Sequence, residues 1–240
     1  MNVCRIQLNR LRMYFFLSVF SVVCWGGITS TYAMPILMPT GLNPGDSYQL
    51  AFSTSGTRNA VSTDIGDYNA FVQGAADSAG IGLGSPLGDM SWNAIASTET
   101  VAALDNAVVS TLVYNLGGAL VATGFADMWD GSLLAPINFN EFGNSNARAI
   151  WTGSRTDGTQ SISNVLGDPS SSSTLGIEGL SNALWIDRGS FPSSGPRPFY
   201  ALSEPISVAH APVPVPSSIL LFGSGLMGLI GWRWWKGQLA

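Results

Sequence analysis

Histidine, lysine and cysteine are almost missing from this chain. Its 240 residues include one histidine, His210, one lysine, Lys236, and two cysteines, Cys4 and Cys24. Both cysteines fall within the first 33 residues, so the remainder has no thiol for a disulfide framework or a covalent nucleophile. His210 stands just before a proline-rich stretch near the C-terminal end. A Ser-His-Asp triad built inside the central region therefore has no base, and a His-ligated zinc site has no ligand. No Gly-x-Ser-x-Gly, phosphate loop or dinucleotide fingerprint falls at a strand–helix junction. Gly80-Ile-Gly-Leu-Gly84 is glycine-rich but follows a helical pattern, and reads as a helix stop and loop.

Positive charge is also scarce where it would matter for polyanions. All fifteen acidic residues lie between Asp46 and Glu204, opposed there only by Arg58, Arg148, Arg155, Arg188 and Arg197, a net of about −10. A central region of that sign does not bind nucleic acid by neutralising phosphates. The other cations sit at the two ends.

Those ends read as addresses. Arg5, Arg10 and Arg12 precede an apolar run from Met13 to Ile28, followed by Thr31-Tyr32-Ala33. This is the layout of a secretory signal peptide over residues 1–33, with cleavage after Ala33. An uncleaved anchor is the alternative, because the apolar run approaches spanning length. At the other end, residues 209–218 are a proline-rich linker, and Pro212, Pro214 and Pro216 favour an extended entry. Residues 219–236 read as a transmembrane helix, at the short end of the roughly 17–25 residues that cross a bilayer. Trp232, Trp234 and Trp235 with Arg233 and Lys236 form an interfacial belt and a cytoplasmic stop. A buried C-terminal helix is the alternative.

Val213-Pro214-Val215-Pro216-Ser217-Ser218, the Gly-rich apolar run Ile219–Gly231 and the closing Arg233 and Lys236 resemble a PEP-CTERM sorting signal, with Val215 where glutamate is usual. The resemblance implies an exosortase-type processing enzyme in the inner membrane of a Gram-negative, exopolysaccharide-producing bacterium. It further implies anchoring by the C-terminal helix before processing, then release to the cell surface or extracellular matrix.

Between the addresses, residues 34–208 are long enough for one domain with a real core. Tyr48–Phe52 alternates, with Tyr48, Leu50 and Phe52 on one face of a first strand. Tyr68, Phe71, Val72, Ala75, Ala76 and Ala79 share one face of the single clear helix, capped by Thr63 or Asp64. Trp92–Ala96 is a strand, and Val101–Ser110 a loop or short helix. Leu112–Leu116 and Ala119–Thr123 form a hairpin around Gly117-Gly118. Ile150-Trp151-Thr152 and Leu184-Trp185-Ile186 are short buried strands. Ser170–Thr174 and Phe191–Pro198 are loops by composition. Phe199–Val208 closes the domain against the first strand. The fold class is α+β, loop-rich, with short antiparallel strands.

The helix ending Ala75-Ala76-Asp77-Ser78-Ala79-Gly80, the segment Trp92–Thr98, the run Gly124–Asn138 and Ile150-Trp-Thr-Gly153 together resemble bacterial surface domains of the C-type-lectin-like fold. The resemblance implies that fold for residues 34–208 and leaves any binding site open, since fold does not fix function.

Candidate ligand-binding residues cluster in one stretch. Asp127 and Asp130 flank Trp129, with Asn138, Asn140 and Glu141 following. Oxygens from such a loop could hold calcium, which takes roughly six to eight; equally, they could close turns and satisfy backbone amides. Trp129, between two aspartates, is the tryptophan expected to face a ligand, whereas Trp151 and Trp185 are expected in the core. A carboxylate pair about 5–9 Å apart could also hydrolyse a glycosidic bond. The resulting expectation is a non-enzymatic structural or binding protein of the envelope or exopolysaccharide matrix, with no cofactor. The alternative is a glycan-binding lectin, calcium-dependent or not, followed by a glycoside hydrolase.

Overall fold

The computed structural model describes residues 39–81 and 90–208. The expected signal peptide 1–33, the loop continuing past Ile81 to Gly84, the linker 209–218 and the helix 219–236 lie outside the described residues. Among the described residues, no helix is long and apolar enough to cross a membrane.

Strand β1, Ser47–Ser53, lies in the middle of the larger sheet. The expected alternation is present: Tyr48, Leu50 and Phe52 enter one core cluster, and Ala51 enters a second. Successive strand side chains point to opposite faces, so β1 divides two cores. Gln49 is buried among these apolar groups. Its amide donates to the Val108 and Ser203 carbonyls at 2.9 and 2.7 Å and accepts the Ser110 amide at 2.8 Å. Leaving such a buried amide unpaired would cost about 1–3 kcal/mol.

Helix α1, Ile65–Ser78, begins where the Asp64 carboxylate accepts the Gly66 amide at 2.9 Å. Tyr68, Val72 and Ala76 are its buried stripe, with Phe71 and Ala75 beside them. Beside that stripe, half-buried polar residues finish the sheet. Strand β2, Trp92–Ala94, is an edge strand. Asn69 accepts the Ala94 amide and Gln73 the Trp92 amide, each at 2.9 Å. Two side chains one turn apart on α1 thus occupy amides that an open sheet edge would expose.

The 101–110 segment forms a single turn of helix, α2, Ala103–Asn106. Strand β3, Leu112–Asn115, runs parallel to β1, and β4, Leu120–Ala122, returns antiparallel to β3. Their hairpin turns as expected at Gly117-Gly118, where Asn115 Oδ1 accepts the Gly117 and Ala119 amides at 3.0 Å each. A short helix absent from the sequence reading follows, α3, Phe125–Met128.

A second sheet holds β5, Ala149–Trp151, β6, Ser172–Ile177, and β7, Gly189–Pro192, in that antiparallel order. Two expectations are corrected here. Ser172–Thr174 belong to β6 and Phe191-Pro192 to β7, although composition suggested loops. The serine-rich strand can be buried because its hydroxyls are paired: Ser173 bonds the Val165 carbonyl at 2.9 Å and the Ser193 hydroxyl at 2.8 Å. Leu184-Trp185-Ile186 is not a strand either. Asn182 accepts the Leu184 amide at 3.2 Å and starts a 3-10 turn, Ala183–Trp185, that buries Trp185 while exposing Leu184. This turn lies directly on β6. A Cβ at Gly176 would meet the Trp185 carbonyl oxygen at 1.8 Å, so the approach requires glycine there.

The closing strand exists as β8, Tyr200–Ser203, and β9, Ile206–Ser207, both antiparallel to β1. Pro205, which has no amide hydrogen, falls in the break. The larger sheet therefore runs β2-β8-β1-β3-β4, with β9 also on β1. The protein is mixed α/β, mostly short strands with few helices.

Candidate functional site

The residues singled out between Asp127 and Glu141 are placed on separate tasks. Asp127 on α3 accepts the Thr123 amide and hydroxyl at 2.6 and 2.9 Å. Asp130 accepts the Ser132 amide and hydroxyl at 2.9 and 3.0 Å. Asn138 donates to the Ser145 hydroxyl, and Asn140 accepts the Phe142 and Asn144 amides. Glu141 is buried and accepts both the amide of Ser55, at 2.7 Å, and its hydroxyl. These oxygens are spent on local turns and on fastening the loop to the end of β1. They do not converge, and among the described residues no three His, Cys, Asp or Glu side chains are grouped for a metal. The set does not fit a calcium shell of roughly six to eight oxygens.

Trp129 is corrected too. It is only 7% exposed, joins the second core cluster and stacks on Trp185 with ring centroids 6.2 Å apart. The α3 turn, invisible in the sequence, carries it inward. Trp151 and Trp185 are in the core as expected, and Trp92 is with them.

Among the described residues, a surface cleft of about 310 Å³ is lined by Glu99, Gln160, Ser161, Ile162, Val165, Asp168 and Pro169. Two segments far apart in sequence meet to form it. The Leu166 amide donates to the Ser97 carbonyl at 2.9 Å, and Thr98 bridges Leu166. The Ser97 amide in turn reaches the Thr152 carbonyl at 2.8 Å. Gly153 permits this convergence: at φ +61 its missing Cβ would meet the Ser97 carbonyl at 2.4 Å and the Leu166 amide at 2.7 Å. The cleft offers carboxylate, amide and hydroxyl groups beside Ile162, which is 82% exposed. Such a lining suits a polyhydroxyl ligand, with hydrogen bonds to its hydroxyls and an aliphatic surface for its C–H face. No sequence motif marks it.

A second titratable group stands apart from the cleft residues. Desolvation is the main cause that pushes the Asp187 carboxyl above the usual carboxylate range, with Asp157 adding to the rise and Arg155 opposing it. The Asp157 carboxyl is held below that range, mainly by the Thr159 hydroxyl.

Comparison with known families gives one result. The PEP-CTERM protein-sorting motif matches residues 212–236. The chain thus carries the C-terminal signal of exported proteins that are processed at the membrane and sorted by exosortase. No curated protein matches the chain.

Proposed function

We propose that the protein is a non-enzymatic structural or binding component of the envelope or exopolysaccharide matrix. The observation that carries this reading is the sorting motif at 212–236, which begins a few residues after the domain's last strand. The folded region is then cargo delivered by the tail, anchored in the inner membrane by residues 219–236 before processing. The resemblance of residues 64–160 to C-type-lectin-like surface domains supports a role at the cell surface. The cleft at Glu99, Gln160, Ser161 and Asp168 supports the more specific form, a glycan-binding lectin independent of calcium. The test is to follow the full chain in an exopolysaccharide-producing host with and without its exosortase, and to measure retention on that polysaccharide with calcium and then with chelator. Exosortase-dependent release with chelator-insensitive retention is expected. Release unaffected by loss of the exosortase would overturn the delivery reading.

A further inference from the structure

Arg197 is held in an unusual way for a surface cation. Pro196 and Pro198 flank it and restrict the backbone. Its amide donates to the Arg58 carbonyl at 2.9 Å and accepts, through its own carbonyl, the Arg58 amide at 3.0 Å. The guanidinium carbon lies 5.4 Å from the Trp151 ring centroid and 5.0 Å from that of Phe191. Trp151 is itself fixed, its indole donating to the Gly195 carbonyl at 3.1 Å. The guanidinium is therefore seated between a buried ring and a ring that is 50% exposed on β7.

That seat leaves a charge uncompensated. Among the described residues no carboxylate lies within ion-pair distance of Arg197, and its Nε is buried with no hydrogen-bond partner. Desolvating a cation without a counter-charge is costly, and an anion that arrives offsets the cost. Arg58 stands directly opposite on the antiparallel bridge, so both side chains leave the same face. Arg58 is already engaged: it lies 4.7 Å over Tyr68, bonds the Asp67 carbonyl and sits 3.9 Å from the Asp67 carboxylate. The net positive charge of the pair therefore rests on Arg197.

We infer that Arg197 and Phe191 form a recognition site for the carboxylate of an acidic sugar unit in a polysaccharide, with Arg58 adding positive charge on the same face. A planar guanidinium pairs a carboxylate through two parallel hydrogen bonds. An exposed aromatic ring beside it accepts the apolar face of the sugar that carries the carboxylate. Seating the guanidinium in advance saves the ordering cost that a flexible arginine would incur on binding. The site is distinct from the cleft at Glu99 and Asp168, whose two acids would repel the same ligand. It deepens the matrix reading by naming a ligand class, while remaining a property of the purified chain whatever its route of delivery.

The experiment is calorimetric titration of the purified full chain in detergent with trigalacturonate, its methyl ester and maltotriose, with tryptophan emission followed in parallel because Trp151 touches the guanidinium. Saturable binding of trigalacturonate alone is expected, weakened at least about tenfold by Arg197→Gln and several-fold by Phe191→Ala. Arg197→Lys, which keeps the charge and loses the fork, is expected to fall between wild type and Arg197→Gln. Unfolding midpoints of the variants separate loss of the site from loss of the fold. Equal binding of the ester, unchanged affinity in a folded Arg197→Gln variant, or no saturation by about 10 mM ligand would each overturn the inference. Inorganic phosphate binding more tightly than trigalacturonate would also overturn it, and would reassign the seat to phosphate. A failed titration leaves exosortase-dependent delivery untouched.

Discussion

The Arg148 guanidinium meets both carboxylate oxygens of Glu178, Nε to one at 3.2 Å and Nη2 to the other at 3.0 Å, with the Glu178 side chain fully buried. The same guanidinium donates to the Thr54 and Ser55 carbonyls at 2.8 and 3.1 Å. One ion pair thus fastens the end of β1 to the second sheet through the start of β5 and the end of β6. Glu141 seizes the Ser55 amide beside it.

Removing one partner of this pair leaves the other charge half-desolvated. Glu178→Gln is expected to destabilise the fold by about 3 kcal/mol, the lower end for a broken buried pair because Arg148 keeps some solvent. Urea unfolding followed by tryptophan emission measures it. A loss below about 0.5 kcal/mol, the scale of an ordinary surface change, would show that the pair does not fasten the sheets.

Trp129 separates packing from recognition. Trp129→Ala removes a ring stacked in the second core cluster, and is expected to cost about 3–5 kcal/mol. Trp129→Phe refills most of the space, so it should remain folded and keep whatever glycan affinity the wild type has. Selective loss of glycan affinity in a stable Trp129→Phe variant would return this residue to the surface reading.

Gly176→Ala tests the contact between β6 and the Trp185 turn. No side-chain rotation relieves a Cβ placed against a backbone carbonyl, so the turn or the strand must move. The variant is expected to fail to fold or to lose more than about 3 kcal/mol, beyond the usual range of point changes. Wild-type-like melting would mean that the turn lies further from the strand than described.

Alkaline titration reports on Tyr68. Burial raises its phenol to about 12, against a partial opposing pull from the Arg58 guanidinium. An unfolded tyrosine ionises near about 10. The folded-state value is the higher one, so the contribution to stability is complete below about pH 10 and is lost as pH rises towards 12. Phenolate absorbance of wild type minus Tyr68→Phe should appear only near pH 12. A Tyr68 signal at pH 10 in protein that is still folded would contradict the burial.

How much of this was legible depended on whether local spacing or long-range approach decided the outcome. Helix α1 was readable because Tyr68, Val72 and Ala76 repeat at the helical period and Asp64 caps it. Strand β1 was readable from its alternation, since each face has its own core. Leu184-Trp185-Ile186 has the composition of a strand, but an asparagine side chain two residues before Leu184 outcompetes the ladder. The serines of β6 look like a loop until Val165 and Ser193 arrive to pair their hydroxyls. Asp127, Asp130 and Glu141 advertise oxygen ligands, yet a carboxylate that accepts a backbone amide has the same sequence signature as one that holds a metal. The cleft was unreadable because Glu99 and Asp168 meet only through a glycine between them in the chain, Gly153. Arg197 was hidden for the opposite reason, lying in a proline-rich segment that looks featureless until Trp151 and Phe191 close around it.

The pairing of β1 with β8 and β9 sets a schedule. The Val208 amide reaches the Asp46 carbonyl at 2.8 Å and the Gly45 amide reaches the Val208 carbonyl at 2.9 Å, so the first and last turns of the domain are bonded to each other. A chain threaded outward from its N-terminal end cannot complete its central sheet until almost all of the cargo has crossed, because β1 must wait for its latest partners. Long-range pairing of this kind is slow to form. The sorting motif at 212–236 begins a few residues after the last strand, so the signal is reached as the sheet closes. A cut made before that closure would set free a half-paired sheet with its middle strand exposed.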